Sequence, residues 1–438
     1  MKRILTSIAA CSLFAALATG QPQPRYTVKD LGTLGGTYSF AFGINTAGDV
    51  AGAAATAAQT DFVSTTAFLW TRQKGIINLG TLGPPAFPAC PTCNSGAAGV
   101  DASGEVAIGS EIATPDPNNE DFCQYGSHRE CLGAIWRNGA LTPLRNLPGG
   151  NNNNVFWMNN RGQTSGFAEN SITDATCATG TPFQVRQFQP VIWGPNGEIQ
   201  RVLPPLVSQG DTVAFGFTIN DNGQLVGASG LCSTLGLPPF AINSTTAAHA
   251  VLWDRNGVIT DLGSLGGASN VASSINSRGD VVGTAQSPKD DTVHAFLWTE
   301  KTGMLDYGGF PGAVATIPGC CHTINDRGEI VGFTVEPGNP FGGRAVIWQG
   351  TEPKDLSDFV GAPSPFMQLL AATAISDAGE IIGMGVTETG EVHAFLATPN
   401  NGAAQGESFS AATQGMAHPM LPESIRRTVG GWFGIRRR

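Results

Sequence analysis

Apolar residues along this chain come in short runs, separated by Gly, Asn, Asp and Pro, and no run keeps a helical period over three turns. Runs of four to seven residues rich in Val, Ile, Ala and aromatics, with turn residues at both ends, predict β-strands. One phrase recurs seven times: an apolar anchor, Asn or Asp, two variable residues, Gly, an acidic residue or Gln, an apolar pair, Gly. It reads Ile44-Asn45-Thr46-Ala47-Gly48-Asp49-Val50-Ala51-Gly52 and returns at Val100, Met158, Ile219, Ile275, Ile324 and Ile375. The copy at Val100 carries one extra residue before Gly109, which predicts a bulge there. The copy at Met158 replaces the apolar pair by Thr164-Ser165 and is the weakest.

Two further phrases keep step with the first. Ala67-Phe68-Leu69-Trp70 is repeated as segments ending in Trp136, Trp193, Trp253, Trp298 and Trp348, and the seventh copy, Ala394-Phe395-Leu396-Ala397, loses the Trp. Asp30-Leu31-Gly32-Thr33-Leu34-Gly35-Gly36 recurs as Asp261-Leu262-Gly263-Ser264-Leu265-Gly266-Gly267. Each unit therefore holds four short strands at a period near 50 residues, which is the signature of a propeller blade. The expected fold is all-β: a seven-bladed β-propeller over residues 26–398 with four-stranded blades.

The first phrase met along the chain, Tyr26 to Leu31, is a fourth strand with none before it, and the last unit lacks a fourth strand. The N-terminal strand is expected to close the last blade, leaving no open edge. The first strand of each unit should crowd around the axis. The position three before the anchor fits this, being Ala41, Ala97, Val155, Gly216, Ala272, Cys321 and Ala372. The Trp column reads as blade-to-blade packing, and the Asn or Asp after each anchor as a cap on its own turn.

The ends of the chain alter this picture. Lys2 and Arg3 precede an apolar run from Ile4 to Ala18, and Ala18-Thr19-Gly20 offers a cleavage site before Gln21. Residues 1–20 thus read as a secretory signal peptide, with Ile8-Ala9-Ala10-Cys11 as a lipoprotein alternative. No later stretch is apolar enough to span a bilayer as a helix. Residues 399–438 read as a flexible tail carrying Arg426, Arg427, Arg436, Arg437 and Arg438 near Trp432 and Phe433. The net charge of −10 argues against a nucleic-acid partner.

Eight of the nine cysteines remain after Cys11 is removed, and an even number in an exported chain suggests disulfides. The candidate pairs are Cys90 with Cys93, Cys123 with Cys131, and Cys177 with Cys232; Cys320 and Cys321 form a vicinal bond or stay reduced.

His294-Ala295-Phe296-Leu297-Trp298, the Asp261–Gly267 phrase and Ile275-Asn276-Ser277-Arg278-Gly279-Asp280-Val281-Val282-Gly283 resemble the HAF-repeat family of extracellular bacterial proteins. The resemblance covers roughly residues 26–398 and implies export and a repeat fold, with no activity or cofactor. Residues 134–166 depart from the pattern, and the His before Ala survives only as His249, His294 and His393.

Between the second and third strands lie 14, 24, 23 and 22 residues in units one to four, but only 11, 12 and 10 in units five to seven. These insertions fall on one face, and elaborated loops over a rigid scaffold are where function sits. Asp116, Glu120, Asp121 and His128 are the candidate binding residues there. With Asn118 and Asn119 the acids make an oxygen-rich run that could hold Ca²⁺, although its spacing is not that of an EF-hand and it reads first as a solvated acidic loop without a metal. Cys90-Pro91-Thr92-Cys93 reads as a local disulfide rather than a metal or redox pair, and Cys321-His322 as scaffold rather than nucleophile and base. His249, His294 and His393 fall one per blade, so they read as packing or hydrogen-bonding positions.

No polar set of the kind an acid–base or nucleophilic site needs is repeated in the loops. The expected function is a secreted, noncatalytic binding or scaffold module for an extracellular glycan or surface protein. The alternative is an extracellular hydrolase or lyase with its site on the long-loop face of blades two to four.

Overall fold

The computed structural model describes residues 25–59, 64–177, 184–235, 248–288, 292–319, 321–337 and 343–400. The expected signal peptide of residues 1–20, the expected tail of residues 399–438 from residue 401 on, and Cys320 lie outside them. Among the described residues no helix is long and apolar enough to cross a membrane. The fold is all-β, and among the described residues helical structure is limited to single turns such as Cys232–Leu235.

Each of the first six repeat units forms one antiparallel four-strand meander, and the last forms three strands of a seventh. The second unit runs Ser95–Val100, Val106–Pro115, Arg129–Arg137 and Ala140–Pro143, and the third Asn153–Met158, Thr164–Thr173, Arg186–Trp193 and Ile199–Val202. Two pairs of meanders are joined into eight-stranded sheets, each by a single parallel bridge, Tyr38 to Val392 and Val293 to Ala315. The meanders stack face to face in chain order, the arrangement of a β-propeller. Ala51, Leu69 and Leu79 of unit one pack on Ala97, Val100 and Ile108 of unit two. The last unit likewise packs Ile382, Ala394 and Leu396 against Ala41, Val50 and Phe68 of the first.

The repeated phrase owes its residues to three local demands. Asn45 Oδ1 accepts from the N–H groups of Ala47 and Asp49, at 3.0 and 2.9 Å, which closes the hairpin. Its Nδ2 donates to the carbonyl of Asp101 in the next unit, at 2.9 Å. The same step links Asn159 to Asn220, Asn220 to Asn276, Asn276 to Asn325, and Asn325 to Ser376. The Asn is therefore both the turn cap read from the sequence and a bond between units. The Asp101 side chain has no N–H to offer, so unit two keeps only the bond that follows it, Ala102 N to Asn160 Oδ1 at 3.0 Å, which Asn160, Ser277 and Asp326 repeat with Asp221, Asp326 and Asp377.

The second demand comes from a β-bulge in the first strand, placed between Ala41 and Gly43 in unit one and between Ala272 and Ser274 in unit five. The bulge turns a carbonyl onto the second strand. A Cβ on Gly52 would lie 2.0 Å from Phe40 O, and one on Gly227 2.0 Å from Phe215 O, so the phrase ends in Gly. In unit two the expected second-strand bulge before Gly109 is absent. The register is regular there, with Gly96 opposite Gly109 and Ala97 opposite Ile108, and the irregularity lies in the first strand between Ala97 and Gly99. Ile108 takes the place that Gly holds elsewhere.

The Trp column meets the third demand. Nε1 of Trp193, Trp253 and Trp348 donates to the carbonyls of Arg145, Pro204 and Tyr307, each at 2.9 Å and each in the preceding unit. These three rings are buried, which seats their sheets on the preceding ones, whereas Trp136 and Trp298 are half-buried.

The strand Tyr26–Asp30 pairs antiparallel with Val392–Pro399, from Tyr26 opposite Pro399 to Asp30 opposite Phe395. It supplies the fourth strand of the last unit. From the last unit to the first, Thr373 Oγ1 donates to Ala41 O at 2.7 Å and Arg72 pairs with Glu380.

Disulfides join Cys90 to Cys93, Cys123 to Cys131 and Cys177 to Cys232. All three fall in or beside the connections of units two to four. Part of the extra length there is strand: the hairpins Val106–Pro115 with Arg129–Arg137, and Thr164–Thr173 with Arg186–Trp193, extend beyond those of the shorter units.

Candidate functional site

The connection of unit two leaves its second strand at Pro115 and turns back at once. Asp116 N donates to His128 O at 2.9 Å, closing the base of the loop. Asp116 Oδ1 accepts from Asn118 N at 2.8 Å and Glu120 N at 3.0 Å, so the chain curls around the carboxylate. Asn119 completes the turn in the left-handed region at φ 58°. The curl aims Glu120 at unit three, where its Oε1 accepts from the backbone N–H groups of Val185 and Arg186. Its Oε2 accepts from Asn118 Nδ2 at 3.2 Å.

Glu169 arrives from the second strand of unit three. Its Oε2 accepts from Asn152 N at 3.2 Å and Asn152 Nδ2 at 3.0 Å, and its Oε1 from Gln184 Nε2 at 2.9 Å. Asn152 Nδ2 also reaches Asp116 Oδ2 at 2.8 Å, tying the two units together. One carboxylate oxygen each from Asp116, Glu120 and Glu169 lies within 4.8 Å of the other two. Three acids thus converge where blades two and three of the sequence reading meet.

The node is sealed. Glu120 and Glu169 have no exposed surface and Asp116 is buried, which overturns the reading of this run as a solvated acidic loop. The reason lies outside the run: segment 184–186 of the next unit folds over it and donates to Glu120. Burial drives the Glu169 carboxyl well above the usual carboxylate range. The charge of Glu120 and a hydrogen bond with it push the same way, and the donors on Gln184 and Asn152 offset only part. Burial also raises Glu130, with the charge of Asp116 adding to it.

Of the four candidate residues, Asp116 and Glu120 meet in this node. Asp121 does not join them: its Oδ2 accepts from Gly126 N at 2.9 Å within its own loop. Burial raises its pKa, with the Gly126 bond and the charge of His128 acting against it. His128 turns its Nδ1 to Asn119 O at 2.9 Å and adopts φ 54°, so it holds the loop rather than facing Glu120.

Glu169, Asn152 and Gln184 escaped the sequence reading. A signal for two of them exists, because unit two repeats the device: Glu111, within the second strand, accepts from Asn94 N and Asn94 Nδ2, both at 2.9 Å. An acid within the second strand, matched with an Asn opening the first, marks both units. Among the described residues, only in unit three do two further acids meet it.

The remaining candidates are structural. The Arg129 guanidinium sits on both sulfurs of Cys90–Cys93, at 3.1 and 3.3 Å. His249, His294 and His393 each place Nδ1 on an aspartate of their own, Asp211, Asp306 and Asp30, at 2.9, 2.9 and 2.8 Å. They do not converge. His322 stacks on Trp157 of unit three, ring centroids 4.9 Å apart, and its Nδ1 lies 2.8 Å from Ile375 O. Cys321 beside it is buried.

No known family profile matches the chain, and no curated protein matches it. Solved structures resemble it in part. The β-propeller domain of the Trilobed protease from Pyrococcus furiosus is 10% identical, with a TM-score of 0.48 over 84% of this chain and 99% of that one. XC5397 from Xanthomonas campestris, described as a gluconolactonase, is 9% identical, with a TM-score of 0.38 over 87% of this chain and 96% of that one. At these identities and scores no activity passes from them to this chain.

Proposed function

We propose that this protein is an exported, noncatalytic seven-bladed β-propeller of the HAF-repeat kind. Its connections in blades two to four form a rigid surface that binds an extracellular glycan or surface protein. Seven sequence repeats with one meander each support the blade count, and the pairing of Tyr26–Asp30 with Val392–Pro399 supports closure of the ring.

The observation that carries the functional reading is where the chain is reinforced. Cys123–Cys131, Cys177–Cys232 and the buried acid node fall in or beside the connections of units two to four, and Cys90–Cys93 in the segment that leads into unit two. Loops fixed in this way lose little further freedom when a ligand docks, and pre-organisation of that kind raises affinity. A hydrolase or lyase working from the same face needs its acid and base open to substrate. The carboxylates that the fold couples, Glu120 and Glu169, are shut off from solvent.

The test is a glycan array probed with the mature chain from Gln21, beside a variant whose residues 116–128 are replaced by a two-residue hairpin. Saturable binding that the variant loses supports the proposal. Turnover of an ester or glycoside substrate by the mature chain, with no glycan bound, overturns it.

A further inference from the structure

Two independent features of the acid node point to a cation. The first is charge. Asp116, Glu120 and Glu169 bring three carboxylates into one buried place, and among the described residues no lysine or arginine forms an ion pair with any of them. Backbone and amide N–H groups satisfy the oxygens as hydrogen-bond acceptors, but they carry no net positive charge. Ionised together, three carboxylates in the interior would be among the costliest arrangements a fold can hold, so the node needs a proton or a cation to offset them.

The second feature is an orphaned oxygen. Gln184 is 1% exposed, and among the described residues its Oε1 has no hydrogen-bond partner. The orientation of the amide is fixed, because Nε2 donates both to Glu169 Oε1 at 2.9 Å and to Arg186 O at 2.8 Å. Turning the amide over would forfeit both bonds. The unbonded oxygen thus stays on an amide that is itself bonded to Glu169, within reach of a cation held by the acids.

We propose that Asp116, Glu120, Glu169 and the Gln184 carboxamide oxygen form a Ca²⁺ site that clamps the connection of unit two onto unit three. The donor set is all oxygen and comes from separate segments of chain, which suits a hard cation with loose geometric demands. Ca²⁺ takes its oxygens at about 2.3–2.6 Å, so ligands on opposite sides stand up to roughly 5 Å apart. Oxygens within 4.8 Å of one another fit that span. Mg²⁺ holds its ligands at about 2.0–2.1 Å in a near-ideal octahedron, a stricter demand than three acids and an amide from separate segments are built to meet. Because Glu120 also accepts from Val185 N and Arg186 N, the ion would secure a contact between two units, not merely fill a loop.

The test uses the whole mature chain, stripped with a chelator and titrated calorimetrically with CaCl₂ and, separately, with MgCl₂, from about 0.01 to 5 mM. The expected result is one saturable Ca²⁺ site that prefers Ca²⁺ to Mg²⁺. At a hundredfold excess over Kd, the melting temperature should rise by about 3 °C for a domain of this size. Glu120→Gln keeps an oxygen for Val185 and Arg186, and Glu169→Gln one for Asn152. Each should weaken Ca²⁺ at least tenfold, while Glu111→Gln, the matching position in unit two, should leave it unchanged. Absence of saturable heat and of any melting shift up to 5 mM overturns the proposal. So does Ca²⁺ binding that survives the double variant of Glu120 and Glu169.

Discussion

His393 Nδ1 lies 2.8 Å from Asp30 Oδ2, so side chains as well as backbone fasten the beginning of the fold to its end. Burial alone would raise the Asp30 pKa. The hydrogen bonds from His393 and from Gly32 N, with the histidine's charge, outweigh it and hold Asp30 below the usual aspartate value. A carboxylate whose pKa is lower in the folded state adds stability above its unfolded pKa, and that stability is lost as the pH falls through the folded value. Wild type should therefore melt above Asp30→Asn at pH 7, and the gap should close below about pH 4. Deleting residues 26–32 should lower the melting temperature by several degrees at either pH. An unchanged melting curve would count against the strand as a closing element.

The disulfides should differ in weight. Cys177 and Cys232 are separated by 55 residues and join two units, whereas Cys90 and Cys93 are separated by only three. Loop-closure entropy assigns roughly 4 kcal/mol to the first bond and about 1.5 kcal/mol to the second. Replacing Cys177 and Cys232 together by Ser should shift the urea midpoint well beyond the equivalent change at Cys90 and Cys93. Equal shifts would mean that chain entropy is not what the long bridge restrains.

The Asn relay predicts a contrast between two neighbours. Asn220 holds its own turn through Asn222 N and Gln224 N and reaches Asn276 O at 2.9 Å, all with little exposure. Asn222 also bonds the next unit, through Ser277 O at 2.7 Å, but from an exposed position. Asn220→Ala should cost about 2 kcal/mol, because it strands buried partners. Asn222→Ala should cost under about 0.5 kcal/mol, since water replaces the bond. Chemical denaturation of the two variants decides it.

The bulge predicts a backbone limit. A Cβ at Gly227 would come 2.0 Å from Phe215 O, which is main chain and has little room to yield. Gly227→Ala should therefore cost about 3 kcal/mol or fail to fold. At Gly109 the nearest atom is the side-chain Oδ1 of Asn154, at 2.4 Å, which can rotate away. Gly109→Ala should be distinctly milder, as yields of soluble protein and urea midpoints will show.

Much of this architecture was legible along the chain because its causes are local and repeated. The Ile-Asn phrase closes its own turn, the Trp recurs at one strand position, and each unit carries its four strands within about 50 residues. The three cysteine pairs expected from the sequence are pairs that form. Other features depended on what one unit does to the next. A bulge was expected in the second strand of unit two, where an extra residue was visible, yet it lies in the first strand, because strand register belongs to a pair of strands and not to either alone.

The amino-acid order by itself determined the strands, their turns and the number of repeats, since propensity and periodicity act over a few neighbouring residues. Only the tertiary structure decided that Asp116 and Glu120 are buried and that Glu169 and Gln184 share their space. Whether a carboxylate meets water or another carboxylate is set by which distant segment folds over it, and no local pattern in the run Asp116–Asp121 records the arrival of residues 184–186.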